Sequence, residues 1–277
     1  MDPTETEREY NPRVAVAADE VAQQTQRAAA LSAATRERWR TRGALLDQRY
    51  GDGALATLDV FPAAVPDAPV HVFLHGGYWR ARDKADYSFV ADALAPHGIT
   101  TVVMNYDLCP AVELPQIVQQ VAEGFAWVHA HAGRLGGDPA RVSASGHSAG
   151  AHLIAAVLAS DAPAVPRAAL LVSGIYELDP VLDISVNAQI RLRPEQVDRM
   201  SPMRHPPRRP TRLVVAVGGA ETGSWIAQSQ RYAQVCAQAG SDSVFLGLPG
   251  ANHYTVMAPF ESATGWLACM AASLARD

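Results

Sequence analysis

Ser148 lies between two glycines in Gly146-His147-Ser148-Ala149-Gly150, directly after a short apolar run, and His75-Gly76-Gly77-Tyr78-Trp79 stands upstream of it. A serine on such a strand-to-helix turn is forced into the open, where its hydroxyl can attack a carbonyl carbon. The attack puts negative charge on the carbonyl oxygen, and backbone N–H groups must be waiting for it. Gly76 and Gly77 allow the upstream loop a close approach. Ala149 opens a helix whose positive end faces the same point. These three positions are the expected oxyanion hole, in which losing one donor typically raises the barrier by about 3 kcal/mol. The chemistry is acyl transfer.

A serine hydroxyl needs a base, and the base needs a carboxylate to orient it. After the apolar run Leu213–Val217 comes Gly218-Gly219-Ala220-Glu221-Thr222, where Glu221 is the only carboxylate. After the last apolar run comes Gly250-Ala251-Asn252-His253-Tyr254, and His253 is the only histidine beyond His205. The expected catalytic set is therefore Ser148, Glu221 and His253. The plainer alternatives are a helix N-terminal acid for Glu221 and a loop histidine for His253. His75 is expected to brace the glycine loop, His147 to pack within the serine turn, and His152 to be a packed helix histidine. Tyr78, Trp79, Tyr176 and Tyr254 are candidates for an aromatic substrate pocket, with ordinary core packing as the alternative. Arg80 reads as an exposed surface arginine, with a substrate carboxylate as its alternative partner.

The elements that must position these residues alternate along the chain. A long helix is expected from Val14 to Trp39, broken by Tyr50-Gly51-Asp52-Gly53. Strands are expected over Ala54–Phe61, Val70–Leu74, Ile99–Met104, Arg141–Ser145, Ala168–Val172, Leu213–Val217 and Val244–Leu248. Helices are expected over Asp86–Leu94, Leu114–His131, Ala149–Leu158, Trp225–Ala239 and Pro259–Leu274. Leu114–His131 carries the apolar stripe Ile117, Val118, Val121, Phe125 and Val128, with Pro115 in its first turn. Buried strands alternating with helices predict a mainly parallel sheet covered on both faces. The order serine, acid, histidine is that of the α/β-hydrolase fold. Residues 176–210 break the alternation and are expected to form a lid-like insertion with a short helix at Pro194–Met200. Residues 1–45 are expected to be a helical N-terminal segment of the same single domain.

Taken together, the two motifs resemble the α/β-hydrolase type of kynurenine formamidase (arylformamidase), related to the hormone-sensitive-lipase-like esterases. Glu9-Tyr10-Asn11, Asn105-Tyr106-Asp107-Leu108, Ser173-Gly174-Ile175-Tyr176 and Asn252-His253-Tyr254 extend the resemblance over most of the chain. Tyr78 stands where the esterase loop has a third glycine, and Glu221 where the family often has aspartate. The resemblance implies Ser148 as nucleophile, Glu221 as acid, His253 as base, and cleavage of an N-formyl aryl amide such as N-formylkynurenine. A general carboxylesterase, amidase or carbamate hydrolase would use the same machinery. A non-catalytic ligand-binding protein on this fold would usually lack a triad member.

At 277 residues, with 48% apolar residues and a net charge of −5, the chain suits one large α/β domain. The balance argues against nucleic-acid or membrane-surface partners. Arg204, Arg208, Arg209 and Arg212, interrupted by prolines, read as a solvated loop. The acidic N-terminus lacks a secretory pattern, and no apolar run is long enough to cross a bilayer. Cys109, Cys236 and Cys269 are too few and too scattered for a disulfide framework or a zinc site, and each is expected to be a buried small hydrophobe. These features point to a cytoplasmic enzyme without cofactor or metal, acting on a small-molecule substrate. A homodimer is left open.

Overall fold

Five consecutive apolar or β-branched residues, Thr100–Met104, bury every side chain in β4, as a strand covered on both faces must. The computed structural model describes residues 2–276. Its centre is an eight-stranded sheet: β1 (Leu45–Arg49), β2 (Thr57–Phe61), β3 (Ala68–Leu74), β4, β5 (Gly137–His147), β6 (Ala168–Val172), β7 (Arg212–Gly218) and β8 (Asp242–Leu248). The order is β1-β2-β4-β3-β5-β6-β7-β8. β2 runs antiparallel to β1 and β4, and the remaining pairings are parallel. This is the α/β-hydrolase fold expected from the alternation of elements.

Two apolar layers sandwich the sheet. One holds the Leu114–His131 helix and the Ala149–Leu158 helix against Val70, Val72 and Leu74 of β3. The other packs Phe73 of the same strand with Phe89, Phe260 and the Trp266–Arg276 helix. Alternate residues of β3 therefore feed opposite layers, as the pleat requires. Helices α1 (Pro3–Tyr10), α2 (Pro12–Ala15) and α3 (Ala18–Arg40) precede the sheet. Here the single helix expected from Val14 is corrected. Asn11 accepts the Arg13 N–H at 3.2 Å and Pro12 opens a new short helix, so the chain turns twice before α3 begins. The exposed edge strand β1 was not anticipated; its burial alternates without a strong apolar face.

Three further expectations are adjusted. Lys84–Tyr87 is a 3-10 turn before the Phe89–Leu94 helix. The last helix begins at Trp266 rather than Pro259, after a separate 3-10 turn over Thr255–Phe260. Cys109 and Cys236 are buried, but Cys269 is exposed. It lies opposite the face of its helix formed by Leu267, Ala268, Ala271 and Ala272. Arg204, Arg208 and Arg209 are exposed as expected, while Arg212 opens β7. No helix of the described residues is long and apolar enough to cross a membrane.

Asp59 on β2 is fully buried, and its Oδ1 lies 2.8 Å from Lys84 Nζ and accepts the Asp47 N–H at 2.8 Å. Its Oδ2 pairs with Arg36. Removing one member of a buried ion cluster leaves uncompensated charge behind. Asp59→Ala is expected to lower stability by about 3 kcal/mol, measured as the shift of the urea unfolding midpoint at unchanged slope. A loss under about 0.5 kcal/mol would put Asp59 in the class of surface substitutions.

Candidate active site

The loops that follow β3, β5, β7 and β8 meet above the C-terminal edge of the sheet, and each brings one part of the site. The helix Ala149–Leu158 begins immediately after Ser148. Ser148 has φ 54° and ψ −116°, a conformation that a non-glycine residue holds only where its surroundings impose it. The flanking glycines explain how it is imposed. A Cβ at Gly146 would run into the Gly150 backbone, and one at Gly150 into the carbonyls of Leu74 and His75. Only bare backbone lets this helix start this close to β3 and β5.

His253 Nδ1 lies 2.7 Å from Glu221 Oε2, with both side chains nearly closed to solvent. The carboxylate accepts, so the proton sits on Nδ1 and Nε2 is the basic nitrogen. Glu221 is itself fixed at its other oxygen: Oε1 accepts from Ser173 Oγ at 2.5 Å and from the Gly218 N–H at 2.9 Å. The Trp225 ring meets His253 edge-on, centroids 4.8 Å apart, and its indole N–H donates to the Ser173 carbonyl at 2.9 Å. Ser148 and His253 line one cleft, together with Gly77, Tyr78, His147 and Tyr254. The space between these residues, open solvent included, is about 530 Å³. A serine and a carboxylate-held imidazole facing one cleft are the residue types that proton abstraction and nucleophilic attack require.

The glycine loop lies against the serine turn. A Cβ on Gly76 would meet the His147 carbonyl at 3.0 Å and Ser148 Cβ at 3.1 Å. Gly77 has φ 113°, which favours glycine. Tyr78 and Trp79 continue with φ 52° and 55°, so the loop holds two further residues in the left-handed region. His75 braces it: Nε2 lies 2.8 Å from Asn105 Oδ1, the ring stacks on Tyr106 at 4.4 Å, and the Tyr106 hydroxyl donates to its carbonyl. Burial lowers the pKa of His75. His147 donates from Nε2 to the His253 carbonyl at 2.9 Å, and burial, with His253 nearby, holds it well below the usual imidazole range. His152 donates to the Met200 carbonyl at 2.8 Å, and burial lowers its pKa to about 4. His75 braces the loop and His152 packs in the core as expected, while His147, expected to pack within the serine turn, also lines the cleft.

The four aromatic candidates divide. Tyr78 and Tyr254 line the cleft. Trp79 is fully buried and packs edge-on against His152 at 4.8 Å. Tyr176 is fully buried and stacks on Tyr232 at 4.1 Å. The structure therefore places Trp79 and Tyr176 in the core, because each finds an aromatic partner beneath the loop that carries it. Arg80, expected at the surface, is half-buried and lines the cleft.

One wall of the cleft was missed altogether. Asn11, which caps α2, and Pro12 and Arg13 in its first turn line it, as does Val186 of the 176–210 segment. This N-terminal segment is tied to several parts of the site. Thr222 Oγ1 donates to the Glu9 carbonyl at 2.7 Å, and the Ser224 N–H to Glu9 Oε2 at 3.0 Å. The Tyr78 hydroxyl donates to the Tyr10 carbonyl at 2.6 Å, and Ser185 bonds Glu7. Only the polar pair Asn11-Pro12 before a helical run hinted at a fixed turn there. Among the described residues no group of three or more His, Cys, Asp or Glu side chains could hold a metal ion.

Comparison with known proteins gives a consistent picture. A family model described as the alpha/beta hydrolase fold matches residues 71–257. The kynurenine formamidase of Danio rerio is 30% identical over 226 residues, covering 77% of this chain and 75% of that protein. The kynurenine formamidase of Salmo salar is 31% identical over 227 residues, covering 77% and 76%. Among solved structures, a protein of Silicibacter sp. TM1040 provisionally described as a thioesterase superposes with a TM-score of 0.83 at 26% identity, covering 96% of this chain and 98% of that one. The chain belongs to the α/β-hydrolase fold family, in the part of it occupied by the kynurenine formamidases.

Proposed function

We propose that this hydrolase cleaves an N-formyl aryl amide, N-formylkynurenine or a close analogue, through a formyl-enzyme intermediate on Ser148. The observation that carries the reading is the 2.7 Å contact by which Glu221 holds His253, a residue that lines the same cleft as Ser148. Ser148 Oγ attacks the formyl carbon while His253 Nε2 takes its proton. The N–H groups of Gly76, Gly77 and Ala149 receive the oxyanion. His253 then hands the proton to the departing arylamine, and the formyl group stays on Ser148. Water, deprotonated by His253, attacks the ester; the bond to Ser148 then breaks, its Oγ takes the proton back from His253, and formate leaves. Glu221 keeps the proton on Nδ1 and stabilises the imidazolium in both halves. The formyl group is the smallest acyl group, which suits a nucleophile only 3% exposed.

Likeness to the kynurenine formamidases supports this choice of leaving group. A second reading, hydrolysis of small acyl esters or thioesters, is favoured by the likeness to the Silicibacter protein. The two separate in one comparison. With purified protein, kcat/KM for N-formylkynurenine is expected to exceed that for p-nitrophenyl acetate by at least tenfold, on the order of what leaving-group contacts supply. The ester carries the better leaving group, so such a preference reports recognition. A strong ester preference with negligible formamide cleavage would reverse the assignment.

A further inference from the structure

We infer that the cleft beside Ser148 selects substrates carrying an anionic group, recognised by Arg13, Arg80 and Arg82. This deepens the reading given above and rests on it for the site of attack. All three arginines line the cleft, and no aspartate or glutamate does. They come from separate places: Arg13 from the N-terminal wall, Arg80 and Arg82 from the loop that continues Gly76 and Gly77. Among the described residues none of the three is ion-paired to a carboxylate, whereas Arg27, Arg36, Arg193 and Arg204 all are.

Their arrangement is fixed rather than incidental. Arg80 Nη1 donates to Gln189 Oε1 at 2.5 Å, while its Nε is closed to solvent and has no hydrogen-bond partner. Arg82 is held at φ 80° and donates to Thr25 Oγ1 at 2.8 Å. Burial lowers the pKa of Arg80, and the charge of Arg13 adds to the effect. Burial raises the pKa of the Tyr254 phenol, and the charges of Arg13, Arg82 and Arg80 all pull against it, so all three act on one side chain that lines the cleft. Guanidinium groups brought together without a counter-charge repel one another, and a carboxylate placed among them relieves that repulsion while taking charge-assisted hydrogen bonds. Arg80 thus keeps hydrogen-bonding capacity that no protein group uses. A cationic cleft also draws anions in and keeps cations out.

Matched substrates test this. One pair is 3-formamidobenzoate and 3-formamidobenzamide; the other is 3-carboxyphenyl acetate and 3-carbamoylphenyl acetate. Within a pair a carboxylate is replaced by a neutral amide of nearly the same shape. Wild-type protein is expected to prefer the carboxylate member about tenfold in kcat/KM, through KM, with the preference shrinking as salt shortens the Debye length. Arg80→Gln, and independently Arg13→Gln on the exposed wall, should each reduce that preference to about twofold or less. Arg80→Lys should retain part of it, since the charge survives without the planar fork. If only the acetate pair turns over and shows this behaviour, the anion site stands and the formamidase assignment falls. If neither pair turns over, calorimetric titration of both formamides into Ser148→Ala decides: tighter binding of the benzoate supports the site. Equal handling of charged and neutral members, or a preference that persists in both glutamine variants, overturns it.

Discussion

Ser148→Ala is expected to lower kcat/KM by about 10⁴-fold or more while leaving the folded state intact. The loss is large because, in the proposed mechanism, a single atom carries two roles, forming the acyl bond and giving its proton to the base. Residual turnover of about 10³-fold over the uncatalysed reaction would remain, from the oxyanion donors and from binding. The fold should survive because alanine fits the same space and faces the same φ of 54° as the serine it replaces. Two measurements separate chemistry from damage. Covalent labelling by a fluorophosphonate should disappear, and the thermal unfolding midpoint should move by no more than a few degrees. Labelling that persists in the variant would exclude Ser148 as the nucleophile.

Which parts of this molecule can be read from sequence follows from how far apart the interacting residues stand. The helices Leu114–His131 and Ala149–Leu158 and the strand Ala168–Val172 are bounded as their apolar patterns predict, because periodicity is local. Glu221 and His253 were legible for a related reason: each is the sole residue of its type in a loop leaving a strand end, and parallel strands bring such loops to one edge. The failures depend on distant partners. Nothing near Tyr176 announces its stacking on Tyr232, so its aromatic ring reads equally well as pocket or core. The Tyr78 hydroxyl meets a carbonyl 68 residues upstream. Glu9 reaches Ser224 across 215 positions, and through such bonds Arg13 is delivered to the cleft. Ser173 was visible at the end of β6, but its purpose required knowing that Glu221 lies beside it.

That last contact governs the second large effect. Glu221→Gln is expected to reduce kcat by about 10³- to 10⁴-fold with little change in KM. Glu221 Oε1 accepts two hydrogen bonds, from the Ser173 hydroxyl at 2.5 Å and the Gly218 N–H at 2.9 Å. A glutamine in this place keeps its carbonyl oxygen toward those two donors, since its NH₂ group cannot accept. The NH₂ group is then turned toward His253 Nδ1, where the carboxylate oxygen had been. A donor facing Nδ1 selects the imidazole tautomer protonated on Nε2, and that nitrogen can no longer take a proton from Ser148. The substitution thus preserves shape and reverses hydrogen-bond polarity. The negative charge that would stabilise the imidazolium is lost with it. Glu221→Asp retains the charge and the acceptor at a shorter reach, so it should recover part of the rate; a merely structural role would not order the variants this way. Fluorophosphonate labelling of Ser148 should slow in parallel with kcat in Glu221→Gln, because both report the same activated hydroxyl. Unimpaired turnover in that variant would place the orienting acid elsewhere in the molecule.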